Sequence, residues 1–200
     1  MEISKNLYLV MPLEREDGTK LYIHHSPVRM AVFETYYNIF ARAFTQIYMG
    51  GLMSGPRISA LTIKSIAEAE GTWKTKPGDA TIGVEQGLMG EIKRLTNVVM
   101  PTPEKGCQTI PFEDAVRRNL LDDEEQSEVL NATSFFTVGY RMYRKDQRKA
   151  ILTGAAMFWD AQISSLDCSA FVVSLGKLTE TETSSEKQQE EMIQPSLLPF

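Results

Sequence analysis

Val28-Arg-Met-Ala-Val-Phe-Glu-Thr-Tyr-Tyr-Asn-Ile-Phe-Ala-Arg-Ala-Phe-Thr-Gln-Ile-Tyr48 is the stretch from which the fold is read. Apolar or aromatic side chains recur at Val32, Tyr36, Phe40, Phe44 and Tyr48, with Phe33, Tyr37, Ile39 and Ile47 beside them. Glu34, Asn38, Arg42 and Gln46 are left for the opposite side, which is the period of an amphipathic helix. The chain holds nine Phe, seven Tyr and two Trp, and about a third of these rings fall here. Large rings dominate core energetics, so this helix is expected to be the keel of the fold. The alternative is that the surplus of rings marks a face for a partner.

Upstream, Leu7–Leu13 and Lys20–His25 read as two strands, and Asp17-Gly18 between them suits a hairpin turn. Pro12 has no N–H for a ladder and fits a strand end or an edge. A lone hairpin is marginal in water, so it is expected to lie on helices or to pair with another strand, including one from a partner.

Downstream the chain reads as a series of helices. Gly50-Gly51 closes the aromatic helix, and Ser54-Gly55-Pro56 opens a second with the stripe Ile58, Leu61, Ile66 and Ala69. Residues 71–83 read as loop, Trp73 excepted, and a short helix follows with Leu88, Ile92 and Leu95 on one face. Met100–Gly106 reads as a connector because of its prolines. Pro111, Glu113 and Asp114 open a short helix ending near Leu121, and Asp122–Glu125 cap the next, with the stripe Val129, Phe136, Tyr140 and Tyr143. Ala150–Trp159 is apolar nearly all round, either a buried helix or one face of an interface, and Ala170–Leu175 fits a strand or a helix end. From Lys177 the composition turns to Thr, Ser, Glu, Gln and Lys, which cannot bury enough surface to fold. The fold class is therefore α+β and predominantly helical. Residues 1–176 read as one globular domain (hairpin 1–26, mainly helical body 27–176), and 177–200 as a disordered tail ending in an apolar plug, Met192–Phe200.

A net charge of −5 argues against a general nucleic-acid binder, although Arg141, Arg144, Lys145, Arg148 and Lys149, with Arg117 and Arg118 upstream and Tyr140 and Tyr143 interleaved, form a local basic patch. Cys107 and Cys168 lie far apart with no Cys or His at ligand spacing, so neither a zinc site nor a disulfide framework is indicated. The N-terminus lacks the features of a signal peptide and no apolar run reaches membrane length, so the expectation is a soluble protein without membrane contact. His24 and His25 point to opposite faces of a strand and cannot readily chelate one metal. Consecutive carboxylates at Asp122–Glu125 spread around a helix start and are explained by capping. No phosphate-binding glycine motif is present, and Ser54, Ser164 and Ser165 have no base placed beside them. No catalytic, metal or cofactor residue is expected, and an enzyme is not the reading.

Five segments carry a family resemblance: Leu7–Glu14, Asp17-Gly18, Gly55-Pro56-Arg57-Ile58, Glu91-Ile-Lys-Arg-Leu-Thr96 and Phe135-Phe-Thr-Val138. Their order resembles the tail assembly chaperones of long-tailed, siphovirus-like bacteriophages. The resemblance implies a non-catalytic protein of the infected host's cytoplasm that binds the tape-measure protein, keeps it soluble and is absent from the finished particle. Such chaperones are often made in two lengths by a ribosomal frameshift. Leu175-Gly176-Lys177 can be encoded by a slippery heptamer, which would make the residues after Lys177 the unshifted extension.

A helical client needs apolar and aromatic surface, and the candidate partner-binding residues are Phe33, Tyr37, Phe40, Phe44, Phe136, Tyr140, Phe158 and Trp159. Plentiful methionine suits an adaptable surface, and a homo-oligomer is compatible with this reading. The competing readings are a virion structural subunit (tail tube or head–tail connector) whose hairpin pairs with its neighbours, and an inactive-looking enzyme or nucleic-acid-binding regulator.

Overall fold

The computed structural model describes residues 6–49, 56–102 and 106–175. Strands β1 (Tyr8–Glu14) and β2 (Lys20–His25) form the expected antiparallel hairpin. Its turn is local chemistry: Asp17 Oδ1 accepts the Thr19 N–H at 2.8 Å, and Gly18 takes a φ of +81°, where a side chain would be strained.

The hairpin does not stand alone. Strands β3 (Thr96–Thr102), β4 (Gly106–Pro111) and β5 (Gln162–Ser164) complete a five-stranded antiparallel sheet in the order β4-β3-β2-β1-β5. Tyr8, Leu9, Val10 and Met11 are consequently buried in succession, on both faces of the sheet. The connector expected at Met100–Gly106 is corrected, since Met100–Thr102 finish β3 and Gly106 begins β4. Prolines hid this pair. Pro101 lies beyond the last β2–β3 pairing, and Pro111 ends an edge strand, so neither missing N–H breaks an interior ladder.

The single helix expected from Val28 to Tyr48 is three pieces: α1 (Met30–Thr35), α2 (Tyr37–Phe44) and a π-helical turn, Thr45–Met49. The first break falls at Tyr36 (φ −109°, ψ 25°), whose hydroxyl donates to the Ile82 carbonyl at 2.7 Å. The π-helical turn carries Tyr48, whose hydroxyl donates to the Phe135 carbonyl at 2.8 Å while its ring stacks on Phe135 at 4.3 Å. Two glycines admit these tyrosines. A Cβ at Gly87 would lie 1.6 Å from the Tyr36 hydroxyl oxygen, and one at Gly139 would lie 2.1 Å from that of Tyr48.

The keel is a different helix, α6 (Asp123–Met142), in which every residue from Asn131 to Tyr140 is buried. It starts as its acidic run predicts. Asp122 accepts from the Glu125 N–H at 2.8 Å, and the Glu125 carboxylate accepts from the Asp122 N–H at 2.9 Å. Arg15, just past β1, reaches the same carboxylate through Nε and Nη2, each at 2.8 Å, which ties the hairpin to the start of the keel.

Helices α3 (Ser59–Ala69), α4 (Gly90–Arg94), α5 (Phe112–Arg117) and α7 (Lys145–Ala156) complete the helical body. α3 buries Ser59, Ile63, Ile66 and Ala67, so the expected stripe of Ile58, Leu61, Ile66 and Ala69 is corrected. α7 and the turn after it bury only one face, through Leu152, Ala155, Ala156 and Trp159. Residues 168–175 form a last helical segment, α8, which decides the ambiguity at Ala170–Leu175.

The sheet buries both faces. On the helical side lie Leu9, Met11, Ile23, Val98 and Ile110 in the main core. On the other, Val10 and Val99 pack with Phe171 of α8. The closing Gly50-Gly51, the helix start at Ser54-Gly55 and the tail from Lys177 lie outside the described residues.

Candidate partner-binding surface

The eight sequence candidates separate into core and surface. Phe40, Phe136, Tyr140 and Trp159 are buried, so for these four the core reading holds and the partner-facing one is corrected. Phe33 and Phe44 are half-buried: Phe33 packs edge-on against Phe40 at 5.1 Å, and Phe44 stacks on Tyr48 at 5.2 Å. Only Tyr37 and Phe158 present large exposed surface, at 53% and 42%. They do not share a concavity.

Three of the concavities among the described residues lie against the helical body. The first, about 480 Å³, lies between the α1–α2 break and the 70–84 loop, with Tyr36, Tyr37 and Ile82 among polar neighbours Glu34, Glu70, Lys74, Lys76 and Asp79. The other two flank the first half of α6. One, about 420 Å³, is lined by Ala60, Leu61, Trp73, Met89 and Leu130, with Lys64, Glu85, Lys93 and Asp123 at its rim. Its neighbour, about 410 Å³, runs past Arg57 and Trp159 and shares Asp123, Ser127 and Asn131 with it.

The apolar groove is built by simple geometry. α3 turns Ile63 and Ile66 inward, which leaves Leu61, a little over half a turn away, 61% exposed. The buried Asn131 side chain accepts the Ala60 N–H at 3.0 Å and fixes α3 on α6. Trp73 is held by the loop, whose Trp73 carbonyl accepts from the Glu85 N–H at 3.0 Å, and Lys64 lies 5.8 Å from its ring centre. Two walls from different helices and a ring from a loop thus converge on one trough.

The trough's rim holds charges of both signs, Lys64 and Lys93 with Glu85 and Asp123, whereas its neighbour is acidic. Asp123, Glu124 and Glu128 line the second α6 groove against Arg57 alone. The 141–149 basic patch, by contrast, is partly internal. Arg141 donates to the Val28 carbonyl, and burial lowers its pKa from the ordinary value. Arg148 lies 4.1 Å over the Tyr140 ring and donates to the Tyr143 carbonyl at 3.2 Å. Arg144 pairs with Asp146 at 3.5 Å.

The two histidines stand back to back on β2. His25 faces the core, with Nδ1 2.9 Å from Thr96 Oγ1 and Nε2 3.0 Å from Thr137 Oγ1, and burial pushes its pKa down to about 3. His24 faces α8. Its Nε2 lies 3.1 Å from the Leu166 carbonyl and so carries the proton, since a carbonyl only accepts. Burial lowers its pKa, while the Leu166 carbonyl works in the opposite direction.

No protein-family model, curated protein or solved structure matches the chain. Among the described residues no helix is long and apolar enough to cross a membrane.

Sequence reasoning missed Leu61, Trp73 and Ile82 as surface groups. A signal was there for two of them. Ile58 just before α3 and Leu61 within it accompany Ile63 and Ile66, more than one buried stripe can use, and Trp73 stands isolated in a polar loop. Nothing local indicated Ile82.

Proposed function

We propose that the chain is a non-catalytic tail assembly chaperone of a long-tailed bacteriophage, which binds the helical tape-measure protein in the host cytoplasm and keeps it soluble. The observation that carries the binding reading is the apolar trough of Leu61, Trp73, Met89 and Leu130 between α3 and α6. An amphipathic client helix laid there would bury its apolar stripe on these groups. Its flanking charged residues would meet Lys64, Lys93, Glu85 and Asp123 at the rim, so charges of both signs can fix its register. The phage assignment rests on the segment order at residues 7–138. Client binding at the trough predicts a surface independent of the core rings.

The test is co-expression with the tape-measure protein, using Leu61→Glu and the control Arg144→Glu. The expected result is soluble client that co-purifies with the natural chain and with the control, and that is lost with Leu61→Glu although the variant stays folded. Equal rescue by Leu61→Glu would remove the trough from the mechanism, and no rescue by the natural chain would remove the chaperone reading.

One observation favours the virion reading in a modified form. β2 is interior and β1 carries β5 along Tyr8–Val10, which leaves the hairpin only the Met11–Glu14 stretch of β1 for pairing between subunits. β4 is an edge strand with its outer side open to a neighbouring chain's strand. Finding the chain in purified particles would decide for this reading.

A further inference from the structure

The chain has two cysteines, 61 positions apart in sequence (168 minus 107), and folding brings both to one place. Cys107 belongs to edge strand β4 and Cys168 to the first turn of α8, and both pack on the small cluster of Val10, Val99 and Phe171. Thr109 pairs with Val99 across the β3–β4 ladder, so its side chain projects from the face of Val99, the face that α8 covers. Thr109 and Cys107 are two residues apart on one strand, so their side chains project from the same face. Cys168, packed on the same cluster, therefore lies on the sheet face that carries Cys107. Both residues are half-buried and unbridged, which leaves their sulfurs within reach of a small solute.

We propose that Cys107 and Cys168 are a reversible oxidation site whose disulfide staples α8 to the edge strand β4. The oxidant is a small-molecule disulfide. One cysteine thiolate attacks a sulfur of the oxidant, forming a mixed disulfide and expelling one small thiolate. The second cysteine, as thiolate, attacks the protein sulfur of that mixed disulfide and expels the other small thiolate. The two protons lost by the cysteines end on the two small thiols. The protein is oxidised by two electrons and the oxidant is reduced by two.

The staple acts on the helix that covers the outer face of the sheet. α8 is held by Phe171 against Val10 and Val99 and by contacts of Phe171 with the Tyr22 and His24 rings at 5.7 and 5.8 Å, and the bend just before it by the Leu166 carbonyl on His24. It covers the sheet face opposite the main core, and the chain leaves it for residues 176–200. Oxidation fixes that cover, and reduction returns it to its non-covalent contacts. Burial raises both thiols above their ordinary pKa, so exchange is slow at neutral pH and faster under mildly alkaline conditions.

The test is incubation of the full chain with oxidised glutathione at pH 8.5, followed by intact mass, peptide mapping and hydrogen exchange. The expected result is a monomer about 2 Da lighter than the reduced chain, as loss of two hydrogens requires, with a Cys107–Cys168 linked peptide. Exchange within 168–175 should slow by roughly tenfold, since opening α8 then means straining the staple. Cys107→Ser should instead give a stable glutathione adduct at Cys168. Adducts on both cysteines of the natural chain, a disulfide-linked dimer, or a crosslink that leaves exchange in 168–175 unchanged would each overturn the proposal.

Discussion

His25 shows how far one residue's chemistry follows from its place. Its ring sits between two threonine hydroxyls in the core, and its pKa falls to about 3 because burial penalises the charged imidazolium. A depressed histidine pKa means that the unfolded chain binds the proton first. Its contribution to stability is thus whole above the ordinary value of 6.5 and is lost as pH falls from 6.5 toward 3. The slope is about 1.4 kcal/mol per pH unit within that window. Chemical denaturation at pH 7, 6 and 5 should show this loss, with a shallower slope in His25→Gln. An NMR titration of His25 with a midpoint near 6.5 in the folded protein would contradict it. Strand alternation made the opposite facing of His24 and His25 legible in sequence. The partners Thr96 and Thr137 were not legible, because they lie 71 and 112 positions away.

Two glycines separate local preference from packing. In a helix interior, Gly→Ala favours folding by roughly 1 kcal/mol. At Gly154 of α7 an added Cβ meets nothing within 4 Å, so Gly154→Ala should stabilise by about 0.5–1 kcal/mol. At Gly139 the same methyl would strike the Tyr48 hydroxyl and Leu152 Cδ2, at 2.1 and 2.9 Å. Overpacking costs about 1–3 kcal/mol and loss of the Tyr48–Phe135 hydrogen bond about 1, so the clash outweighs the propensity gain. Thermal denaturation of the two variants should move the midpoint in opposite directions.

Among elements, the central comparison is between the aromatic stretch 28–48 and α6. Periodicity favoured the first as keel, because its rings are large and regularly spaced. The structure gives that place to α6, whose buried turns hold Asn131, Thr133, Ser134 and Thr137 among the apolar groups. These polar side chains dilute the periodic signal, yet several are satisfied within the fold: Thr133 donates to the Val129 carbonyl, Thr137 meets His25 and Asn131 caps α3. The start of α6, by contrast, was written locally. Asp122→Ala removes the acceptor of the Glu125 N–H and should cost about 1 kcal/mol in urea denaturation. Tyr36→Phe tests the α1–α2 break in the same way. Without the hydroxyl that holds the Ile82 carbonyl, amide exchange in 72–84 should speed several-fold while the core amides keep their rates. Uniform acceleration across the molecule would mean that the break is set by something other than this contact.

For the whole molecule, the sheet with covers on both faces is the organising fact. Changing Phe171 to Asp should detach α8 and open Val10, Tyr22, His24 and Val99 to water, leaving the main core intact. The expected readout is increased binding of a hydrophobic dye with retained far-ultraviolet circular dichroism. Unchanged dye binding would show that the outer cluster does not depend on Phe171. The trough beside α6 belongs to this scale as well, since its lining comes from α3, the 70–84 loop, the 85–93 segment and α6.

The sequence by itself determined the elements whose causes are local. These are the Asp17-Gly18 turn, the Asp122–Glu125 capping box, the helical character of most of the body and the back-to-back histidines. Each depends on side chains within a few residues of one another, so the pattern is present in any short window. Only the tertiary structure decided that the hairpin is the middle of a five-stranded sheet, that α6 is the keel, and that Phe40 and Trp159 are core while Leu61 is surface. Those outcomes depend on which distant segment covers which face. A stripe of apolar residues records the need for burial, whereas the partner that satisfies it is chosen by the packing of the whole chain.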